Sequence, residues 1–148
     1  MRTIKFRGQR IDNGEWVYGF LYQLPLPTGV GCMILTTDNT HEDNSIEPEY
    51  HLAFTLWVDL FPVKPETVGQ YTELKDKNSR EIYDGDIIRH IFGLKRVGNE
   101  WIDDAYIIPV EYKEARSNIS CLSKVMEATE VIGNIYDNPE LLNKKLSV

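Results

Sequence analysis

Apolar and basic residues alternate at the start of the chain, and this pattern predicts an N-terminal β-hairpin. Residues 4–7 follow the period-two pattern of a strand with one wet face. The Asp-Asn-Gly run at residues 12–14 tolerates the positive φ that a tight turn requires. Residues 15–22 return as the second strand. We therefore expect Lys5 and Arg7 to project from one wet face, opposite the apolar positions of the first strand.

Proline and glycine separate this hairpin from the next apolar segment. Pro25 and Pro27 are expected to end the second strand, and residues 29–31 to form a flexible connector. Residues 32–37 are apolar and β-branched, which predicts a buried strand. Residues 38–50 are polar and acidic, and we interpret them as a solvated loop.

Short strands separated by polar turns are predicted for the rest of the chain. Pro62 and Pro65 bound a connector, and turns are expected at residues 75–79 and 84–85. Residues 115–128 fit a strand or a short helix, and both alternatives stay open. The predicted strands are residues 52–61, 68–72, 81–83, 86–92, 101–102, 106–112 and 130–136.

A short helix that docks on the sheet is predicted at the C-terminal end. Asn138 is a suitable N-cap, Pro139 suits the first helical position and Glu140 complements the helix dipole. About two turns of helix are too short to be stable alone. The apolar stripe consists of Leu141, Leu142 and Leu146.

Single glycines interrupt two of the predicted strands in a similar context. Gly69 and Gly133 each follow a Glu and an apolar run and precede a Tyr. One echo of this length does not establish a repeat architecture. We interpret the two strands as occupying comparable positions in a closed sheet, where each Gly eases a bend.

The composition is that of a globular protein and limits the possible partners. The chain has 148 residues, the size of one domain or of two very small ones that share a core. Its formal net charge of −7 repels nucleic acid overall, yet residues 1–10 are basic and residues 38–49 are acidic. The basic start lacks the apolar run of a signal peptide, and no segment is apolar for long enough to span a membrane. Cys32 and Cys121 match no metal spacing, and we expect two buried free thiols in a reducing cytosol rather than a disulfide.

Several blocks together resemble the YopX family over nearly the whole chain, in the correct order. The matching blocks are residues 5–8, 13–19, 63–72, 74–78, 81–87 and 131–142. Ser79 departs from a Gly that is common in the family, and residues 94–128 show no clear motif. The resemblance implies a phage or prophage protein made in the bacterial cytoplasm, mainly β, whose second part is an SH3-like barrel. It carries over no catalytic or binding residues.

We accordingly expect one mainly β domain over residues 1–148, with α+β as the alternative. Residues 1–61 would form an N-terminal β region that begins with the hairpin. Residues 62–148 would form the small SH3-like barrel together with the C-terminal helix.

No catalytic, cofactor or metal site is predicted. Residues 76–81 fail as a calcium loop because Arg80 occupies the fifth ligand position and Ile87 the twelfth. Asp84 and Asp86 resemble an acid–base pair, but turn formation explains them more simply. An acidic solvated loop is favoured over a metal site at the potential ligands His41, Glu42, Asp43, Glu47, Glu49 and His51.

The basic hairpin is the one candidate contact surface. Lys5, Arg7 and Arg10 beside the stacking surfaces of Tyr18 and Tyr22 suit single-stranded nucleic acid. We favour the alternative of a solvated face whose charges pair with the acidic loop at residues 38–49.

Two functional hypotheses follow from the sequence. The first is a non-enzymatic interaction module that binds protein, as a homo-oligomer or with a host or phage factor. The second is a nucleic-acid-binding module that uses the basic hairpin.

Overall fold

The computed structural model describes residues 3–27, 29–36, 59–113, 116–119 and 126–143. These ranges are mainly β, as predicted, with one short helix. Two compact units divide the chain: Lys5–Val68, and Gly69–Val148 together with Met1–Ile4. We call them the N-terminal unit and the C-terminal unit. The strands are β1 (Phe6–Gln9), β2 (Trp16–Leu26), β3 (Gly29–Thr36), β4 (Asp59–Val63), β5 (Gly69–Lys75), β6 (Glu81–Tyr83), β7 (Asp86–Val97), β8 (Glu100–Pro109), β9 (Tyr112–Lys113), β10 (Arg116–Ser117) and β11 (Thr129–Asn134), and the helix is α1 (Glu140–Asn143).

The predicted N-terminal hairpin is confirmed. Strands β1 and β2 pair antiparallel in a register that runs from Phe6 opposite Gly19 to Gln9 opposite Trp16. Gly14 has a φ of 75° in the turn, which is the left-handed conformation that Gly adopts at little cost. The apolar face of the first strand is present at Phe6, which packs on the core, but Ile4 precedes β1 and is 54% exposed, so its predicted place on that face is wrong.

Strand β2 continues through Pro25, so the break predicted there is wrong. Its pairing with β3 reaches Leu26 opposite Gly29, and residues 29–31 belong to β3 rather than to a flexible connector. Within the N-terminal unit as described, β1 pairs with β2 only as far as Gly19. Beyond that point β2 is an edge strand of this unit's sheet, where a residue without an N–H is tolerated.

The N-terminal unit packs one face of its β4-β3-β2-β1 sheet into a core. Cys32, Ile34 and Val63 are buried in this core, which confirms the predicted burial of the third strand, and the Cys32 thiol is free. Apolar side chains pack around them from Phe6, Val17, Leu21 and Val68. Cys121 lies outside the described residues.

Pro62 lies inside β4, so the connector predicted from it begins later. A short 3-10 turn, Pro65–Thr67, follows the strand. The Thr67 hydroxyl accepts the Gln9 amide at 2.9 Å and donates to the Lys64 carbonyl at 2.7 Å. These bonds fix the turn against β1. The acidic loop at residues 38–50 and most of the strand predicted at residues 52–61 lie outside the described residues.

The C-terminal unit combines the β5–β6 hairpin with a β11-β7-β8 sheet around a second core. The turns predicted at residues 75–79 and 84–85 are confirmed. Residues from all five strands and from the following loops contribute to the core: Leu74, Ile82, Ile88, Ile108, Val110, Ile119 and Val131. A single set of side chains therefore joins the two sheets of this unit.

Strands β7 and β8 form one long hairpin where the sequence predicted three shorter strands. A register shift between Ile91 and Gly93 leaves Phe92 as the extra residue of a bulge, and Gly93 pairs with Asp104 instead of ending the strand. Gly98, with a φ of 61°, turns the chain into β8. The pairing of β11 with β7 reaches only His90, so the hairpin extends beyond the three-stranded sheet. We call this extension, residues 92–106, the arm.

The two glycines that the sequence singled out lie close to other groups, a backbone carbonyl at Gly69 and a side chain at Gly133. A Cβ at Gly69 would lie 2.4 Å from the carbonyl oxygen of Asp84, and one at Gly133 would lie 2.5 Å from Asn138 Oδ1. The register of β11 also shifts between Val131 and Gly133, which is a bend of the expected kind.

The N-cap predicted for Asn138 is not formed as expected. Its Oδ1 accepts the amide of Asn134, at 3.4 Å, so the side chain points back to β11. The amide of Leu141 bonds to the backbone carbonyl of Asn138 at 3.1 Å. The predicted docking is confirmed in so far as α1 contacts β8. Leu146 lies outside the described residues.

Candidate interaction surface

Three aromatic side chains form an exposed row on the outer face of the N-terminal sheet. Tyr18, Phe20 and Tyr22 alternate along β2 and are 41%, 57% and 52% exposed. Alternate residues of a strand share a face, so these side chains point away from the core that Val17 and Leu21 contact. We call this surface the aromatic face.

Neighbouring strands extend the aromatic face with aliphatic side chains. Phe20 pairs with Leu35 of β3, which in turn pairs with Leu60 of β4. Leu60 is 46% exposed. Directly paired residues of antiparallel strands lie on the same face, so the exposed apolar surface crosses three strands. Exposed apolar surface that is continuous in this way is typical of an interaction site.

Lys5 lies at the border of the aromatic face. Its Nζ is 6.0 Å from the centroid of the Tyr18 ring, at the outer limit of a cation–π contact. The side chain therefore places a positive charge next to the exposed aromatic row.

Arg7 is buried, which corrects the prediction that it projects into water beside Lys5. It is 2% exposed, and its guanidinium carbon lies 4.8 Å from the centroid of the Trp16 ring. A guanidinium stacks well on an aromatic ring and is less strongly hydrated than an ammonium group. Residue alternation indicates the face on which a side chain begins, whereas the aromatic neighbours decide whether water reaches it.

Arg10 is neutralised within its own turn. Its guanidinium lies 2.5 Å from a carboxylate oxygen of Asp12 and 3.7 Å from one of Glu15. The same group lies over the Phe61 ring, 4.4 Å from the centroid. The hydrogen bond between Arg10 and Asp12 lowers the pKa of the Asp12 carboxyl and raises the pKa of Arg10. The acidic loop that was expected to supply the pairing charge lies outside the described residues.

Two acidic residues near a turn of the C-terminal unit accept hydrogen bonds from backbone amides. Asp86 is buried and accepts the Tyr83 amide at 2.8 Å. Asp84 accepts the Tyr112 amide at 3.0 Å. The Asp86 contact lies within the turn, as interpreted, whereas the Asp84 carboxylate joins the turn to β9, 28 residues along the chain. Across the described ranges, no group of three or more His, Cys, Asp or Glu side chains is placed to hold a metal ion, and the possible ligands at residues 41–51 lie outside them.

The five residues that the sequence predicted as contacts therefore have different environments in the structure. Tyr18 and Tyr22 are exposed together and Lys5 lies beside them, while Arg7 is buried and Arg10 is ion-paired. Sequence reasoning missed Phe20. The period-two alternation of residues 16–22 contains the signal, since it places Phe20 on the same face as the two tyrosines.

The fold and this surface define an antiparallel, mainly β protein with exposed apolar surface on one of its sheets. The chain belongs to the YopX protein family, whose family model matches residues 5–143. In the solved structures, the chain is similar to protein EF1440 from Enterococcus faecalis, with a TM-score of 0.51 and 20% sequence identity over 96% of this chain and 99% of that one. At this identity the likeness concerns the fold. No curated protein matches the chain. The described residues include no helix with the length and apolarity needed to cross a membrane.

Proposed function

We propose that this chain is a non-enzymatic interaction module of a phage or prophage that binds another protein in the bacterial cytoplasm. The observation that carries this proposal is the exposed row of Tyr18, Phe20 and Tyr22 on one strand. Aromatic side chains are enriched at the centres of protein interfaces, where a few of them supply most of the binding free energy.

The aromatic face has enough apolar surface to support specific binding. Covering the exposed half of one Tyr or Phe side chain removes roughly 100 Å² of surface, worth about 2.5 kcal/mol at ~25 cal/mol per Å². Three such side chains in a row offset a large part of the entropy that two proteins lose on association.

The charges around the aromatic face indicate the chemistry of the partner. The half-buried Lys5, just before β1, places a positive charge beside this face, whereas Arg7 is buried in it. Strands β1–β4 as described place no carboxylate there, because Asp59 pairs with Thr36 on the opposite face. We therefore infer a protein partner whose apolar side chains are bordered by acidic residues. Electrostatic complementarity of this kind orients the two surfaces and excludes basic partners.

Single-stranded nucleic acid is the alternative ligand for the same aromatic row. The burial of Arg7 and the ion pairs of Arg10 reduce the positive charge that phosphate binding requires. These two observations favour protein over nucleic acid.

The C-terminal unit would serve as the scaffold of the module, in the form of a small SH3-like barrel. Its support is the single core to which β5, β6, β7, β8 and β11 all contribute. An experimental structure tests this part of the proposal: continuous hydrogen bonding around the five strands is expected, and an open sheet with two unpaired edges would contradict it.

Replacing Phe20 and Tyr22 by serine tests the binding surface. The wild-type protein, Phe20→Ser/Tyr22→Ser and the control Ile11→Ser would each be used to capture proteins from a lysate of the bacterial host. Ile11 is 61% exposed but lies in the hairpin turn, so it controls for the loss of an exposed apolar side chain. The captured protein would then be purified and titrated against each variant.

We expect one purified protein to bind the wild type and Ile11→Ser equally and to bind the double variant at least about tenfold more weakly, a difference of about 1.4 kcal/mol. Equal binding by all three variants, or no binding by any, would contradict the proposal. A labelled oligothymidylate that binds the wild type with strong salt dependence, and not the double variant, would replace protein by nucleic acid as the ligand.

A further inference from the structure

The tip of the arm carries a second exposed apolar surface, in the C-terminal unit. Leu94 is 63% exposed and Trp101 is 66% exposed. Leu94 pairs with Asp103, and Arg96 pairs with Trp101. Paired residues and alternate residues share a face, so these four side chains form a square on one side of the arm. We call this square the tip face.

The opposite side of the arm also carries exposed apolar side chains, among them Phe92 at 49% and Tyr106 at 61%. Phe92 and Tyr106 stack there with ring centroids 4.5 Å apart and an interplanar angle of 15°. An ion pair of 3.6 Å joins Lys95 to Asp104 on the same side. Trp101 and Leu94 on the tip face remain exposed. A two-stranded hairpin that extends beyond its sheet is only marginally stable in water, so covering this face would stabilise it.

The arrangement of the tip face is self-complementary. Its apolar residues, Leu94 and Trp101, occupy one diagonal of the square, and its charged residues, Arg96 and Asp103, occupy the other. A two-fold axis along the apolar diagonal superimposes each apolar residue on its equivalent in a second copy. The same rotation places Arg96 of each copy over Asp103 of the other, because it exchanges the two charged corners.

From this geometry we infer that the tip face is a site of self-association, at which two copies of the chain pack face to face about a two-fold axis. An interface of this type uses the same residues twice, as in most homodimers. The strands of the two arms would cross at a steep angle, which is one of the two common ways in which sheets pack.

The charges of the arm favour this face over edge-to-edge pairing of strands. An antiparallel β7–β7 contact would bring Lys95 and Arg96 of two copies together. A β8–β8 contact would do the same for the carboxylates of Glu100, Asp103 and Asp104. Like charges on neighbouring strands are destabilising, whereas face-to-face packing pairs opposite charges. Arg89 lies on the same side of the hairpin and forms an ion pair of 2.8 Å with Asp103. The Asp103 carboxylate has two oxygens, so it can also accept Arg96 of the second copy.

Sedimentation velocity over a range of protein concentrations tests this inference. A contact of this size is below that of stable dimers, so we expect a reversible monomer–dimer equilibrium in the micromolar range or weaker. Trp101→Ser should remain monomeric at all concentrations. Lys95→Glu is the control for charge reversal, because Lys95 lies on the opposite side of the arm, and it should dimerise like the wild type.

The sharpest test is a mixture of two charge-reversal variants. Arg96→Glu alone places two carboxylates against each other at both charged corners, and Asp103→Lys alone places two cations there, so each variant should be monomeric. In an equimolar mixture both corners again carry opposite charges, and the dimer should return. Circular dichroism spectra would establish that each variant is folded.

Three results would overturn the inference: a wild type that is monomeric throughout, dimerisation that survives either charge reversal, or a mixture that stays monomeric. The inference is independent of the proposed protein partner. Phe20→Ser/Tyr22→Ser should dimerise like the wild type even if it no longer binds that partner. Loss of the dimer in this variant, with the arm variants unaffected, would assign self-association to the aromatic face instead.

Discussion

The amide of Val131 donates a hydrogen bond of 3.1 Å to the Asp76 carboxylate, which lies 55 residues earlier in the chain. The other oxygen of this buried carboxylate accepts the amides of Asn78 at 2.8 Å and Arg80 at 3.0 Å. One side chain therefore closes the turn between β5 and β6 and fastens that turn to β11. An ion pair of 2.7 Å between Lys77 and Glu130 lies beside this contact.

Removal of the Asp76 carboxylate should strongly destabilise the C-terminal unit. Asp76→Ala leaves three backbone amides without their acceptor, and we expect a loss of about 3 kcal/mol or more in the free energy of unfolding. Asp76→Asn keeps one acceptor oxygen and should lose about 2 kcal/mol. Urea denaturation measures both. The control Asp12→Ala removes an exposed, solvent-screened ion pair and should lose far less stability, so equal losses for Asp76→Ala and Asp12→Ala would refute the role of Asp76.

A methyl group at Gly69 should be costly, while one at Gly93 should not. The added Cβ at Gly69 would lie 2.4 Å from the Asp84 carbonyl oxygen, so the backbone would have to shift. Gly93 has no atom within 4 Å of an added Cβ. We expect Gly69→Ala to lose about 2–3 kcal/mol and Gly93→Ala to change stability by less than about 1 kcal/mol. Thermal unfolding distinguishes them, and similar melting temperatures for the two variants would contradict the close approach.

The contact between His90 and Thr129 should contribute to stability through a buried hydrogen bond. Nδ1 of His90 lies 2.8 Å from the Thr129 hydroxyl, and both residues are buried. Thr129→Val keeps the shape but removes the partner of the ring nitrogen, at an expected cost of about 1–3 kcal/mol. Thr129→Ser keeps the hydroxyl and serves as the control. The ¹⁵N chemical shift of His90 Nδ1 should change in Thr129→Val and stay close to the wild-type value in Thr129→Ser. An unchanged shift in both variants would show that the hydroxyl is not the partner.

The ionisation of Tyr71 should make the protein less stable at high pH. Burial raises the pKa of its phenol, and the nearby carboxylates of Glu81 and Glu73 raise it further. In the unfolded chain the phenol ionises near its usual value of about 10, whereas in the folded protein it retains its proton to higher pH. The free energy of unfolding should therefore fall as the pH rises above about 10, until the folded-state phenol also ionises.

Tyr71→Phe tests this linkage. The variant should show a shallower loss of stability above pH ~10, and its tyrosinate absorbance titration should lack one step above that pH. If wild type and variant lose stability at the same rate, Tyr71 is not the group responsible.

Local features of the sequence predicted the parts of the fold in which neighbouring residues interact. The hairpin turn at Gly14 and the turn after Asp84 were predicted because a left-handed φ or a short polar side chain acts over a few residues. Gly69 and Gly133 were correctly identified as special positions. Their reason, close approach to Asp84 and Asn138, is visible only when distant segments are placed in space.

The predictions that failed depended on neighbours that the sequence does not specify. Pro25 is compatible with a strand because β1 ends its pairing with β2 at Gly19. Gly93 does not end β7 because the register shifts by a bulge. In both cases the partner strand, rather than the residue itself, decided the outcome.

Residue pattern alone was sufficient to predict the family, the β-rich class and the positions of most turns, because alternation, Gly, Asn, Asp and Pro act through local backbone conformation. Which of the basic residues meets solvent, and which apolar side chains remain exposed, depends on how the strands pack together. Arg7 begins on the same face as Tyr18 and is nevertheless buried, while Phe20, Leu94 and Trp101 are left exposed. Burial depends on what other strands place over a side chain, and that is a property of long-range packing, which no local pattern contains.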